Sequence, residues 1–223
     1  MIKLSPTTEL DAEALKKLLL SRKTTTHRFK IPFTHEQMCD ALMGAYMAEV
    51  EYRKMKYKDD EETKKHISQV AKWLVDDDRK FGLMLCGYCG TGKTTVIYAI
   101  RSLLQWMYAQ EPMESSIVLK IINAQEVVSL AKYKQDEYKK LFHIPFLAID
   151  ELGIEPSEAL DYGNVICPTI ELLSRRYDGC LPTIVTTNLE PKDISEHYDE
   201  RIADRFREMM QVVQFINRTY RNQ

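Results

Sequence analysis

The sequence predicts an α/β fold in which helices cover both faces of a parallel β-sheet. The first indication is a glycine-rich loop at residues 87–95, which follows an apolar run and leads into a helical pattern. Continuous apolar runs at 145–149 and 182–187 are typical of strands buried on both faces. Helical patterns separate these runs, as the connections between parallel strands require.

The composition sets the class of protein. The chain has 223 residues, 44% of them hydrophobic, which predicts one globular domain with at most a small appendage. No stretch could span a bilayer and the N-terminus lacks the apolar segment of a secretory signal, so we expect a cytoplasmic protein. The five cysteines suit a reducing compartment. A net charge of −2 argues against a protein wrapped in nucleic acid.

Three helical segments precede the glycine-rich loop. Apolar residues recur at helical spacing over 11–21. Thr34, with Gln37 three residues later, forms a capping-box pattern that predicts a helix reaching about residue 57. A third helix follows the acidic residues 59–62. The basic residues between Lys16 and Lys30 predict either a contact surface for DNA or an acidic partner, or a solvated helix face.

The rest of the chain alternates between strands and helices. Beyond the glycine-rich loop, the apolar patterns predict strands at 117–122, 145–149, 182–187 and 211–216, and helices at 124–133 and 165–177. We therefore divide the chain into a small helical region, residues 1–60, and an α/β domain, residues 61–223.

Residues 87–95 form a complete P-loop motif. Gly87, Gly92, Lys93 and Thr94 satisfy the pattern G-x-x-x-x-G-K-[ST]. The glycines let backbone N–H groups point at phosphate oxygens, Lys93 is expected to reach the β- and γ-phosphates, and the Thr94 hydroxyl is expected to coordinate Mg²⁺. The predicted nucleotide-binding residues are Gly87, Tyr88, Cys89, Gly90, Thr91, Gly92, Lys93, Thr94 and Thr95.

Polar residues follow two of the buried strands. Asp150 and Glu151 end the run at 145–149, so both carboxylates are expected at the carboxyl edge of the sheet, where open α/β folds bind ligands. Asp150 suits a direct or indirect ligand of Mg²⁺, and Glu151 suits the base that polarises an attacking water. Asn188 ends the next buried strand, and its amide is expected to donate to the γ-phosphate or to hold the water.

In this order, the P-loop, the hydrophobic run before Asp150 and Glu151, and the strand-terminal Asn188 resemble an AAA+ ATPase. More narrowly, Ala71-Lys-Trp-Leu, Arg176-Tyr177, the run from Leu181 to Leu189 and the ending from Phe215 to Arg221 resemble bacterial helicase loaders of the DnaC type. Transposition helper ATPases of the IstB type share these features. The resemblance covers roughly residues 65–221.

The resemblance implies a P-loop NTPase of the AAA+ (ASCE) class, a three-layer αβα fold with strand order 5-1-4-3-2 and no C-terminal helical lid. It also implies ATP bound between subunits of a homo-oligomer, with an arginine of one protomer completing the next protomer's site. Arg205, within Glu200-Arg-Ile-Ala-Asp-Arg-Phe, aligns best with this arginine finger, and Arg201 is the alternative; the same arginines could also form surface salt bridges.

The resemblance also suggests residues that would contact DNA and residues that would replace an arginine of the missing lid. The resemblance implies single-stranded DNA on the inner surface of an open spiral, for which Arg175, Arg176 and Tyr177 are candidates. Arg218 and Arg221 are candidates to replace the arginine that a lid normally supplies.

The function expected from this resemblance is that of an ATP-hydrolysing, DnaC-like protein. It would place a replicative helicase on single-stranded DNA, and residues 1–60 would bind that partner. One alternative is an IstB-like regulator that assembles on duplex DNA with a transposase. A second, from another class, is a small-molecule kinase, against which Glu151 and the arginine element argue. A third is a nucleotide-binding adaptor with little turnover.

Overall fold

The computed structural model describes residues 11–22, 31–110, 118–156, 159–161, 164–217 and 219–220. Within them the helices are α1 (Ala12–Arg22), α2 (His35–Tyr52), α3 (Glu61–Val75), α4 (Lys93–Gln110), α5 (Ala124–Tyr133), α6 (Gln135–Leu141), α7 (Pro168–Asp178), α8 (Ile194–His197) and α9 (Glu200–Met209). The strands are β1 (Gly82–Gly87), β2 (Leu119–Asn123), β3 (Phe146–Leu152), β4 (Ala159–Asp161), β5 (Asn164–Ile166), β6 (Thr183–Thr187) and β7 (Met210–Phe215).

Five parallel strands form the central sheet in the order β2-β3-β6-β1-β7. Numbered along the chain without the short β4–β5 hairpin, this order reads 5-1-4-3-2 and confirms the predicted topology. The P-loop strand β1 therefore lies between β6 and β7, and β6 separates β1 from β3. The carboxyl ends of β1, β3 and β6 meet at one edge of the sheet.

Two layers of helices enclose the sheet. Alternate side chains of β1 point to opposite faces: Leu83 and Leu85 pack with α2, α3 and α4, whereas Met84 and Cys86 pack with α5, α7 and α9. The sheet is thus buried on both sides, which explains its continuous apolar runs. No helix in the described residues is long and apolar enough to cross a membrane.

Local signals account for most element boundaries. Thr34 and Gln37 form the predicted capping box at the start of α2. The helix ends at Tyr52 rather than near residue 57, and Lys54 adopts a positive φ of 57° just beyond it. Helix α5 has the predicted bounds, and Asn123 caps it by accepting from the backbone N–H of Gln125. Helix α6 and the β4–β5 hairpin were not predicted.

Helix α2 packs into the same core as the central sheet. Its buried residues Met38, Leu42 and Tyr46 share one apolar cluster with side chains of α3, α4 and the sheet. The chain is therefore continuously packed across the predicted boundary at residue 60. A separately folded region within the described residues would have to lie before Ile31, which is itself buried in this cluster.

The arginines singled out by sequence fall in different environments. Arg176 is fully buried, so this DNA-contact candidate is wrong. Arg175 is exposed on the same helix and pairs with Glu171 (3.7 Å). Lys16 and Lys17 are exposed on α1. The side chain of Arg22 is not described, and Lys23, Arg28, Lys30, Arg218 and Arg221 lie outside the described residues.

Arg176 links the end of α6 and the residues just after it to the start of β6. Its Nη1 donates to the carbonyls of Leu141 (3.0 Å) and Ile144 (2.9 Å), its Nη2 donates to Pro182 O (2.8 Å), and its Nε donates to Thr183 Oγ1 (2.8 Å). Burial lowers the pKa of the guanidinium to about 9, so the side chain stays protonated at neutral pH.

We expect Arg176→Ala to lower the free energy of unfolding by about 3–5 kcal/mol, because it leaves four acceptors without their donor and opens a cavity. Urea unfolding measures this loss. Arg175→Ala is the matched control, and its exposed ion pair should change stability by less than about 1 kcal/mol. Equal stability of the two variants would contradict a structural role for Arg176.

Candidate nucleotide-binding site

The P-loop connects β1 to α4 at the carboxyl edge of the sheet. Gly87 and Gly92 have positive φ values of 134° and 96°, a region that favours glycine. Side chains would also collide there, since a Cβ on Gly87 would meet Phe215 O and one on Gly92 would lie 2.6 Å from Tyr46 Oη. The loop can curl only because these positions are glycines, and it leads directly into the N-terminus of α4 at Lys93.

Lys93 is largely buried at the start of α4. Its Nζ donates to the carbonyls of Gly87 (2.6 Å) and Tyr88 (2.7 Å) and to Asn188 Oδ1 (3.1 Å). The ammonium thus lies inside the curl of the loop and is linked to the end of β6. The structure brings the predicted lysine and asparagine together.

Asp150 and Thr94 lie side by side. The Thr94 hydroxyl donates to Asp150 Oδ1 (3.0 Å), and the Thr186 hydroxyl donates to the same oxygen (2.5 Å). A hydroxyl next to a carboxylate is a donor set of the oxygen type that Mg²⁺ prefers. The two residues predicted as metal ligands therefore fit this ion, and Thr186, which sequence reasoning missed, orients the carboxylate.

Glu151 is exposed at the end of β3, in a left-handed backbone conformation with φ of 59°. Such a conformation costs about 1–3 kcal/mol and is seen at functional sites. The Glu151 N–H donates to Thr186 Oγ1 (2.9 Å), and its carboxylate accepts from Asn123 Nδ2 (2.9 Å). Asn123, at the end of the neighbouring strand β2, was not predicted. Its strand-terminal position, the signal that identified Asn188, could have indicated it.

Lys93, Thr94, Asp150, Glu151 and Asn188 line one cavity of about 590 Å³. Residues 89–95 of the P-loop line it, and so do residues 53–58, between α2 and α3. Tyr46 and Val50 of α2 also belong to the lining. Polar groups thus converge beside an apolar surface, as in sites for cofactors and nucleotides.

The C-terminal segment packs onto the P-loop. The N–H of Tyr220 donates to Gly90 O (3.0 Å), and Asn217 Nδ2 donates to Thr91 O (3.2 Å). The Tyr220 hydroxyl donates to Asp60 Oδ2 (2.8 Å), which caps α3. The ending that carries the family resemblance therefore supports the loop.

The candidate arginine fingers lie outside this cavity. The Arg205 guanidinium lies 4.9 Å from the ring centroid of Tyr177 and pairs with Asp178 (3.5 Å). The Arg205 side chain is 14% exposed. Arg201, one turn earlier on α9, is exposed. Tyr177 also donates to Glu208. Neither arginine is among the residues that line the cavity of its own chain.

Comparison with known proteins agrees with this geometry at the level of the fold. No protein-family model and no curated protein sequence matches the chain. Among solved structures, DnaI is 22% identical, with 71% of this chain and 87% of DnaI covered and a TM-score of 0.52. The DnaC helicase loader is 18% identical, with 71% and 93% covered and a TM-score of 0.53.

A third solved structure, AMPPCP-bound DnaA from Aquifex aeolicus, is 14% identical to the chain, with 71% of this chain and 48% of DnaA covered and a TM-score of 0.52. The strand order, the P-loop and the similarity to these solved structures all indicate the same fold. The chain has the AAA+ P-loop NTPase fold of the DnaC type.

Proposed function

We propose that the protein is an ATPase that acts as a helicase loader in DNA replication. The observation that carries the proposal is the convergence of Lys93, Asp150, Glu151 and Asn188 around one cavity at the carboxyl edge of the sheet. These are the residue types that bind a triphosphate and activate water. The solved structures with this fold include one named a helicase loader and one DnaA that holds an ATP analogue.

In this proposal, each residue has a defined task. The P-loop amides and Lys93 bind the phosphates, and Lys93 exchanges its carbonyl partners for phosphate oxygens as ATP enters. Thr94 and Asp150 would hold Mg²⁺, which would supply positive charge to offset that of the phosphates. Glu151 leaves Asn123 and accepts a proton from the attacking water. Asn188, next to Lys93, orients the γ-phosphate or that water.

Hydrolysis by the purified chain, measured with and without single-stranded DNA, tests the proposal. We expect ATP to be converted to ADP and phosphate, at a rate that single-stranded DNA raises severalfold. Double-stranded DNA of equal length is the control, and stimulation by the duplex alone would favour the IstB-like alternative. Phosphate transfer to a nucleoside acceptor would overturn the assignment as an ATPase.

The partner is tested by pull-down. We expect the chain to retain a replicative helicase with ATP present, and to retain it less well when Lys93→Ala prevents nucleotide binding. Recovery of a transposase instead would show that the same core serves transposition. Assembly into an ATP-dependent homo-oligomer is measured on the same samples by light scattering.

A further inference from the structure

The segment between α2 and α3 brings a concentration of positive charge to the cavity. Arg53, Lys54, Lys56 and Lys58 all line it, together with residues of the P-loop. Sequence reasoning assigned no role to these residues. Positively charged side chains that line the same cavity as a phosphate-binding loop make the local electrostatic potential more positive, which attracts an anion.

Within this segment, Arg53 is held in a fixed position by α2 and α4. Its Nη1 donates to Thr95 Oγ1 (3.2 Å) and to Glu49 O (3.3 Å), and its Nη2 lies 3.9 Å from the Glu49 carboxylate. Ser102 donates to the other oxygen of that carboxylate (2.6 Å). The guanidinium also lies 5.3 Å from the ring centroid of Tyr98. It is therefore pre-organised beside the first turn of α4.

The contacts of Arg53 leave hydrogen-bonding capacity toward the cavity. A guanidinium carries five N–H donors in a planar fork that matches phosphate oxygens. Among the described residues, two hydrogen bonds occupy Nη1 and none engages Nε. The Arg53 side chain is 34% exposed.

The position of Arg53 indicates which phosphate it would meet. Thr95, its partner, is the last residue of the P-loop motif, so Arg53 contacts the loop where it enters α4. Val50, Met55 and Tyr57, which lie near Arg53 along the chain, add an apolar lining suited to a base and sugar. Arg53 therefore contacts the P-loop and lines the same cavity as these apolar residues.

Building on the proposed function, we infer that Arg53 contacts the α-phosphate of the bound nucleotide. From the segment after α2, it adds a positive charge that the P-loop motif does not include. Because ATP and ADP both carry an α-phosphate, this residue strengthens binding of both nucleotides and does not distinguish them.

Equilibrium binding of ATP and ADP to Arg53→Ala tests this inference. We expect the Kd of each nucleotide to rise by about tenfold to a hundredfold, and by the same factor, because one charge-assisted contact is lost from both. Arg53→Lys, which keeps the charge but not the fork, should lose less. Arg53→Gln serves as a second variant if the alanine protein unfolds at a lower temperature.

Arg101→Ala is the matched control. Arg101 lies over the same Tyr98 ring (4.5 Å) but does not line the cavity, so its removal should leave both Kd values within about twofold. Unchanged binding by Arg53→Ala and Arg53→Gln, or a loss confined to ATP, would overturn the inference. If the unaltered protein binds neither nucleotide, the proposed function itself fails. Lys93→Ala serves as the reference for a protein that has lost nucleotide binding.

Discussion

Replacing Glu151 by glutamine is expected to slow ATP hydrolysis by about 10²- to 10⁴-fold, the usual contribution of a positioned general base. Glutamine keeps the size of the side chain and an oxygen that can accept from Asn123, but it cannot take a proton from water. The affinity for ATP should change by less than about threefold, because Lys93 and the P-loop amides are untouched. Single-turnover hydrolysis and equilibrium binding measure the two effects separately.

Glu126→Gln is the matched control for this prediction. Glu126 is exposed in the first turn of α5, close in sequence to Asn123, and does not line the cavity. The same change of charge there should leave the turnover rate within about twofold. A Glu151→Gln protein that hydrolyses ATP at the original rate would show that Glu151 is not the base, and would favour an adaptor with little turnover.

The second large effect is expected from the arginine finger. Arg205→Ala should lower turnover by about 10³-fold or more if the guanidinium of one protomer reaches the next protomer's phosphates. To do so, Arg205 must leave Asp178 and Tyr177. We expect mixtures of Arg205→Ala with Lys93→Ala to recover activity, because a mixed interface pairs an intact site with an intact arginine.

Parallel mixtures with Arg201→Ala decide between the two arginines. Arg201 is already exposed on α9, so rescue with its variant, and not with that of Arg205, would move the role to Arg201. Arg207→Ala is the control on the same helix, since Arg207 pairs with Glu200 and Asp204 on its own protomer (2.5 and 3.6 Å). Absence of rescue with both variants would contradict a site shared between subunits.

Features that depend on neighbouring residues could be predicted from the sequence. The capping box at Thr34, the bounds of α5, the buried strands and the P-loop all follow from spacings within about ten residues. The order of the strands needed the family resemblance, because periodicity identifies a strand but not its neighbours. The carboxylates at the end of β3 were predicted because parallel strands end at a common edge.

Other features depend on contacts between residues far apart in the chain, and only the tertiary structure decided them. The sequence suggests that Arg176 lies on the surface of its helix. In the structure it is buried and donates to backbone carbonyls up to 35 residues away. Arg53 and Thr95 meet across 42 residues, and Tyr220 reaches Asp60 across 160. Local sequence patterns encode backbone hydrogen bonding and the burial of a face. The side chains that contact one another in the buried interior depend on how the helices and strands pack together. No single segment of the sequence specifies that packing.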